Sequence, residues 1–210
     1  MRELRCLAVA AALAATGCVS QLIETNPPKP RYTVGAVNSD LLQGPSVDWS
    51  LIVEDPRAAR AYDTTKLAVS PSSGRIEYFG GGEWAARAPR VFQTALIESF
   101  EDSGRILHVG DRLALPIGEY VLQTDIRRID LDVSGGSPTA RLNVYARLTN
   151  GRSRIYAAQA FAGGSTASSS SGDDVAAAFD SAFKDVIANI VTWSFEQGDA
   201  AEAEDEAASS

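Results

Sequence analysis

The chain is poor in the residues that most often carry chemistry. It has two cysteines, Cys6 and Cys18, one histidine, His108, and one methionine, Met1. With no cysteine after residue 18, an intramolecular disulfide is excluded there, and that part must be stabilised by packing. No Cys/His set has zinc spacing, so no metal or other cofactor is expected. His108, between Leu107 and Val109, reads as a strand residue and not as half of a catalytic pair. No Ser-His-Asp set stands out, and the serine-rich stretch 165–171 reads as a loop. Gly80-Gly81-Gly82 lacks the Lys-Ser/Thr that completes a phosphate loop, and reads as a turn between a strand and a helix. Positive charge is scarce as well: 19 Lys and Arg against 27 Asp and Glu, a net charge of −8. No nucleic-acid partner is expected, because neutralising phosphates takes clustered Lys and Arg. Long apolar runs are missing too. Leu7–Ala15 (LAVAAALAA) is too short for a bilayer core of about 30 Å, which needs about 20 helical residues, and no later segment is longer in apolar character.

What is present begins at the N-terminus. Arg2 and Arg5, then the apolar run, then Ala15-Thr16-Gly17-Cys18 follow the order of a secretory signal. The last four residues look like a bacterial lipobox, with Ala15 where leucine is usual. Residues 1–17 are therefore expected to be a signal peptide cut before Cys18. The Cys18 thiol would carry diacylglycerol, and further acylation of the palmitate type would complete a lipid anchor. Several acyl chains at about 0.8 kcal/mol per buried CH₂ anchor stably. Val19, where an Asp would signal inner-membrane retention, points to the outer membrane with the body facing the periplasm. Loss of Arg2, Glu3 and Arg5 moves the net charge from −8 to −9.

Residues 18–31 contain Asn26-Pro27-Pro28-Lys29-Pro30, which favours an extended, polyproline-like tether. Residues 197–210, with the acidic run Asp199–Glu206, show no apolar periodicity and are expected to be disordered. The remaining 32–196 suit one domain with a real core.

Period-two alternation marks strands over 32–37, 47–53 (closed by Pro56), 66–70, 75–79, 105–109, 119–133, 140–148 and 154–161. Pro71-Ser72-Ser73-Gly74 and Asn150-Gly151 predict hairpins. In 119–133 the apolar phase changes from even to odd positions at Arg127-Arg128, which predicts a bulge. Helical periodicity marks about 84–102, ended by Gly104, and about 173–196, ended by Gly198 and started by Asp173 or Asp174. The expected fold is α+β: a mainly antiparallel sheet with two amphipathic helices packed on one face.

Two sets of residues invite a functional reading. Asp125, Asp130 and Asp132 lie close in sequence, and Asp130 and Asp132 share a strand face. With Arg127, Arg128 and Arg141 nearby, they read as a solvated, charged face rather than as an acid and base. Tyr78, Phe79 and Trp84 read either as core or as a surface for a partner or lipid, since Tyr and Trp are enriched at both kinds of contact.

The motifs resemble one family. The lipobox is followed by Arg31-Tyr32-Thr33-Val34. Ile76-Glu77-Tyr78-Phe79 is followed by Glu83-Trp84-Ala85, then by the strand opening Glu119-Tyr120-Val121-Leu122. The last helix carries Phe179, Ala182, Ile190 and Trp193. This order, over about 18–195, is similar to the ABC-type transport auxiliary lipoproteins. The acidic tail and Ala15 depart from that pattern. The resemblance implies a non-catalytic, outer-membrane-anchored component of a lipid transport system, and as partner the Mce-domain protein of an ABC lipid transporter. It leaves self-association open. An outer-membrane assembly or envelope-structural lipoprotein is the competing class, and a lipoprotein hydrolase using His108 or Asp130 the third.

Overall fold

The computed structural model describes residues 28–152 and 154–209. The expectations for the signal peptide, for Cys18 and for the tether before Pro28 fall outside the described residues.

The organising element is one long strand, β7 (Tyr120–Asp132). Its residues Tyr120, Leu122, Thr124 and Ile126 are buried, and after a register shift between Ile126 and Arg128 the burial continues at Ile129 and Leu131. The single extra residue keeps both halves of the apolar set on one face of the sheet. Along one edge β7 pairs antiparallel with β8 (Thr139–Thr149), and β8 pairs with β9 (Ile155–Thr166). Ala140, Leu142, Val144, Ala146 and Leu148 of β8 point to the same buried face.

Along its other edge β7 is tiled by three short parallel partners. These are β2 (Leu51–Val53), β3 (Arg57–Ala58) and β4 (Lys66–Ser72). β4 turns into β5 (Arg75–Trp84), β5 takes β1 (Arg31–Tyr32) at its end, and β6 (Val109–Gly110) lies outside β2. The sheet is mainly antiparallel, as expected, with parallel pairings added. The long ladders are antiparallel, and the parallel pairings are short ones made by segments returning from loops.

Helix α1 (Ala88–Asp102) has proline in its first turn, where a missing N–H costs nothing, and is followed by Gly104 at φ 64°. Helix α2 (Gly172–Ser209) lies across β8 and β9. Val175, Phe179, Phe183, Val186, Ile190 and Val191 give it a buried stripe at helical spacing. The helices meet through aromatic pairs, Phe92 with Phe183 at 6.0 Å and Phe100 with Phe195 at 5.5 Å, and Trp84 at the end of β5 packs against α2 through Phe179 at 5.1 Å and Phe183 at 5.6 Å. One core joins both helices to one face of the sheet.

Several expectations are corrected. The strand expected over 32–37 is only Arg31–Tyr32; Val34 and Val37 enter the core from irregular backbone, where the Val37 N–H donates to Ser99 Oγ. The strand over 47–53 shortens to Leu51–Val53, and the one over 105–109 moves to Val109–Gly110. Gly80–Gly82 is not a turn: β5 runs through it to Trp84, so α1 begins at Ala88 and not at Trp84. The tail is helical through Ser209. Gly198 does not stop the helix but faces Trp49, so close that a Cβ would lie 2.4 Å from the indole. The tail has no long apolar stripe, yet it is held by contacts with other elements, notably burial of Ala201 and bonds from Arg154 and Tyr156 to Asp205.

Candidate functional site

The registers place the loops at two ends of the molecule. At one end, β7 finishes at Asp132 opposite Thr139, α2 begins, and the β4–β5 hairpin turns. At the other lie the start of β7, the Asn150-Gly151 turn and residues 103–119. Helix α2 runs between them. From Asp173 to Glu202 its rise of 1.5 Å per residue gives about 44 Å.

The described lead segment, residues 28–32, joins near the first end, and its seating is specific. The Glu83 N–H donates to Pro30 O (2.9 Å), the Ala85 N–H donates to Tyr32 O (2.7 Å), and Lys29 pairs with Glu83 (3.6 Å). The Tyr32 hydroxyl donates to Asp173 Oδ1 at 3.1 Å, in the first turn of α2. Burial, then Asp173, raises the Tyr32 pKa. Two glycines make room for this ring, one of them from the triplet expected to turn the chain: a Cβ on Gly82 would come within 2.3 Å of the Tyr32 ring and one on Gly172 within 2.4 Å of its hydroxyl.

The three aromatic candidates separate. Trp84 is 2% exposed at the end of β5, packed against Phe179 and Phe183 of α2. Phe79 is half-buried against the core. Tyr78 is 45% exposed beside exposed Ile76, with Lys66 above its ring. Only Tyr78 of the three offers a ring to solvent from the hairpin.

The aspartates occupy the sheet face opposite the helices. Asp130 is not solvated, as the sequence suggested, but 1% exposed. Its carboxylate accepts from Arg141 Nε at 3.1 Å and from Ser70 Oγ at 2.5 Å. Arg141 also binds Asp132, whose pKa is lowered first by the Ser134 hydroxyl. Asp125 pairs with Arg147 at 2.8 Å, and Arg127 and Arg147 both lie over the Tyr145 ring. These are paired groups knitting β7 to β8 and β4. His108 sits at the other end, where its backbone O accepts from Leu51 N–H. With Leu51 opposite Tyr120, ten strand residues, about 33 Å, separate its level from Asp130. The structure does not bring the hydrolase candidates together. Among the described residues no group of His, Cys, Asp and Glu is arranged to hold a metal, and no helix is long and apolar enough to cross a membrane.

The sequence reading missed residues 105–119. Here Leu107, Leu113 and Ile117 are 85%, 92% and 87% exposed. The loop is nonetheless fixed. Asp111 Oδ1 accepts the N–H groups of Leu113 and Ala114 at 3.0 Å each, and Arg90 lies 3.3 Å away. The Ala114 N–H is the largest cause of the lowered Asp111 pKa. Beside the loop, Glu119, Glu202, Asp205 and Glu206 line an open cleft of about 570 Å³ with Arg152 and Tyr156. Burial, then Glu206, Asp199, Glu119 and Asp48, raises the Glu202 pKa, which registers the excess of negative charge at this end. Three apolar residues in a Gly- and Pro-containing stretch were the available signal.

Known proteins resemble this chain along most of its length. An uncharacterised protein of Bradyrhizobium diazoefficiens is 26% identical over 145 residues, 69% of this chain, and the match spans 39% of that relative. The crystal structure of protein XCC0632 from Xanthomonas campestris, of the DUF330 family, superposes with a TM-score of 0.71 at 30% identity, covering 84% of this chain and 97% of that one. A second crystal structure, of an uncharacterised protein, shares the fold at a TM-score of 0.62 and 12% identity, covering 78% and 97%. The profile of the ABC-type transport auxiliary lipoprotein component matches residues 33–191, from just after β1 into α2. The chain belongs to the family of ABC-type transport auxiliary lipoprotein components.

Proposed function

We propose that this protein is a non-catalytic docking body, held at the periplasmic face of the outer membrane by lipid on Cys18, that positions the Mce-domain component of an ABC lipid transporter. In this reading residues 1–17 are the removed leader, 18–31 the tether and the folded body follows. The observation that carries it is the seating of residues 29–32 on β5 and on the first turn of α2. Seating of the lead segment supports this end as the one nearer the anchor, with the other end of α2 the more distant.

The lead end has features that suit a lipid headgroup layer: exposed Tyr78 and Arg75 on β5, Lys66 on β4, Arg31 on β1 and Lys29 just before it. The paired aspartates and the isolated His108 favour this over hydrolysis.

The test replaces Cys18 by Ala in the full chain. The expected result is a folded protein released from membranes, with loss of the transport phenotype at unchanged protein level. Retention in the membrane with transport intact would refute the anchored platform. Purification of the native protein should bring down an Mce-domain component; a barrel-assembly or peptidoglycan partner in its place would favour the envelope-structural reading.

A further inference from the structure

The end of the molecule remote from the lead segment combines two features that seldom coincide without a partner. Leu107, Leu113 and Ile117 project almost fully into solvent from one loop, whereas single exposed apolar residues scattered over a surface would need no explanation. Within this loop Asp111 accepts the N–H groups of Leu113 and Ala114, and Gly118 lies close against Ile52, so the backbone on either side of Ile117 has defined contacts. The adjoining surface is acidic: Ile117 is one residue from Gly118 and two from Glu119, both in the wall of the cleft that Glu202 and Asp205 also line.

We propose that this far end docks a basic, amphipathic segment of a protein partner, with its apolar residues on Leu113 and Ile117 and its Lys or Arg residues in the cleft beside Glu119 and Glu202. Charge decides among the occupants. An anionic or zwitterionic membrane surface favours an excess of Lys and Arg beside inserted apolar residues, and the cleft at this end sets Glu119, Glu202, Asp205 and Glu206 against Arg152. A second copy packed about a two-fold axis sets the same patch against itself, carboxylate facing carboxylate. A basic apolar segment satisfies both features at once, because the cleft attracts it and the loop buries part of it. The position agrees: about 44 Å of helix separates Asp173, beside the lead segment, from Glu202. The inference rests on the proposed anchoring through Cys18 for which end is distal, but the surface itself is independent of the partner's identity.

The experiment places a photo-crosslinking amino acid at Leu107, Leu113 or Ile117 of the full-length chain in its own cells, with Ile76 on the hairpin as the control position. Adducts are mapped to the residue by mass spectrometry. The expected result is adducts from Leu113 and Ile117, absent from Ile76, that map to one protein segment mixing Lys or Arg with apolar residues. Their yield should fall about tenfold or more with Glu202→Lys. Adducts to lipid, to a second copy or to an acidic segment overturn the proposal, as does the absence of adducts at these positions. If the mapped segment belongs to a protein other than an Mce component, the surface stands and the transporter reading falls. If the Mce component still copurifies without adducts, the reverse holds.

Discussion

Replacing Gly198 by Ala sets two effects of opposite sign against each other. Gly198 lies well inside α2, and in an exposed helix interior Gly→Ala stabilises by about 1 kcal/mol, because Ala loses less backbone entropy on folding. By propensity alone the variant should be the more stable protein. The structure reverses the sign. A Cβ at Gly198 would lie 2.4, 2.8 and 3.0 Å from three atoms of the Trp49 ring. That ring has nowhere to go: it packs edge-on against Tyr120 at 5.5 Å and tilted against Phe195 at 5.8 Å, and its Nε1–H donates to Asp199 Oδ1 at 3.0 Å. Overpacking a fixed site costs about 1–3 kcal/mol. Displacing the indole also weakens a hydrogen bond to a carboxylate, a class worth about 1.5–3 kcal/mol. The net expectation is a loss of about 1–2 kcal/mol, or a fall in Tm of about 2–8 °C for a domain of this size. Urea denaturation followed by far-UV circular dichroism measures it, with Gly135→Ala as the control, since nothing lies within 4 Å of a Cβ at Gly135. A double-mutant cycle isolates the contact: in a Trp49→Phe background, Gly198→Ala should cost less or stabilise. A stability gain of about 1 kcal/mol in the parent protein would refute the claim that Trp49 clamps this helix, and with it the account of why the acidic tail is helical.

Other perturbations test other parts of the structure. Thr124 Oγ1 is buried without a hydrogen-bond partner among the described residues. Thr124→Val should therefore stabilise by about 1 kcal/mol, read as a higher urea midpoint at constant slope, and a loss would mean that the hydroxyl is satisfied. Arg141→Met leaves the Asp130 carboxylate buried with Ser70 and the more distant Arg128 as its remaining polar partners among the described residues. Destabilisation of about 3 kcal/mol is expected, and restoration of most of it by adding Asp130→Asn would separate charge burial from lost packing. The raised pKa of Glu202 means that the folded state binds more protons than the unfolded state above the usual glutamate value of 4.5, so stability falls as pH rises through that window. Glu202→Gln should remove this fall and be the more stable protein near neutrality; an unchanged pH profile from 4.5 to 7 would contradict the carboxylate cluster.

Strands with one buried face were legible because alternation states both the element and its orientation. The bulge at Arg127 in β7 was readable for the same reason: a change of apolar phase within an otherwise continuous strand has few other causes. The β8–β9 hairpin followed from Asn150-Gly151. Short strands were misjudged in length, since β1, β2 and β6 end where their partners end and not where the alternation does. The glycines misled twice. Gly80–Gly82 and Gly198 were read through backbone conformation, as turn and stop, when two of these positions lack a side chain because Tyr32 and Trp49 occupy the space. No local pattern distinguishes those two uses of glycine.

The sequence by itself determined that residues 19–210 hold no cysteine and a single histidine, the two-helix α+β class and the pattern that marks the family, because these depend on residue type, periodicity and order along the chain. It also nominated Cys18, by a motif that needs no fold to be read. Only the tertiary structure decided where charge is buried and where apolar surface is shown. Asp130 sits on the polar phase of its strand and is nevertheless buried, because Ser70 and Arg141 from neighbouring strands close over it. Leu107, Leu113 and Ile117 would be assigned to a core by type and stand in solvent, because the loop that carries them lies outside β2 and none of the described elements covers these side chains. The acidic tail would be assigned to solvent and is helical, because Trp49, Arg154 and Tyr156, distant in sequence, meet it. Burial depends on what the rest of the chain brings to a residue, and local sequence does not contain that.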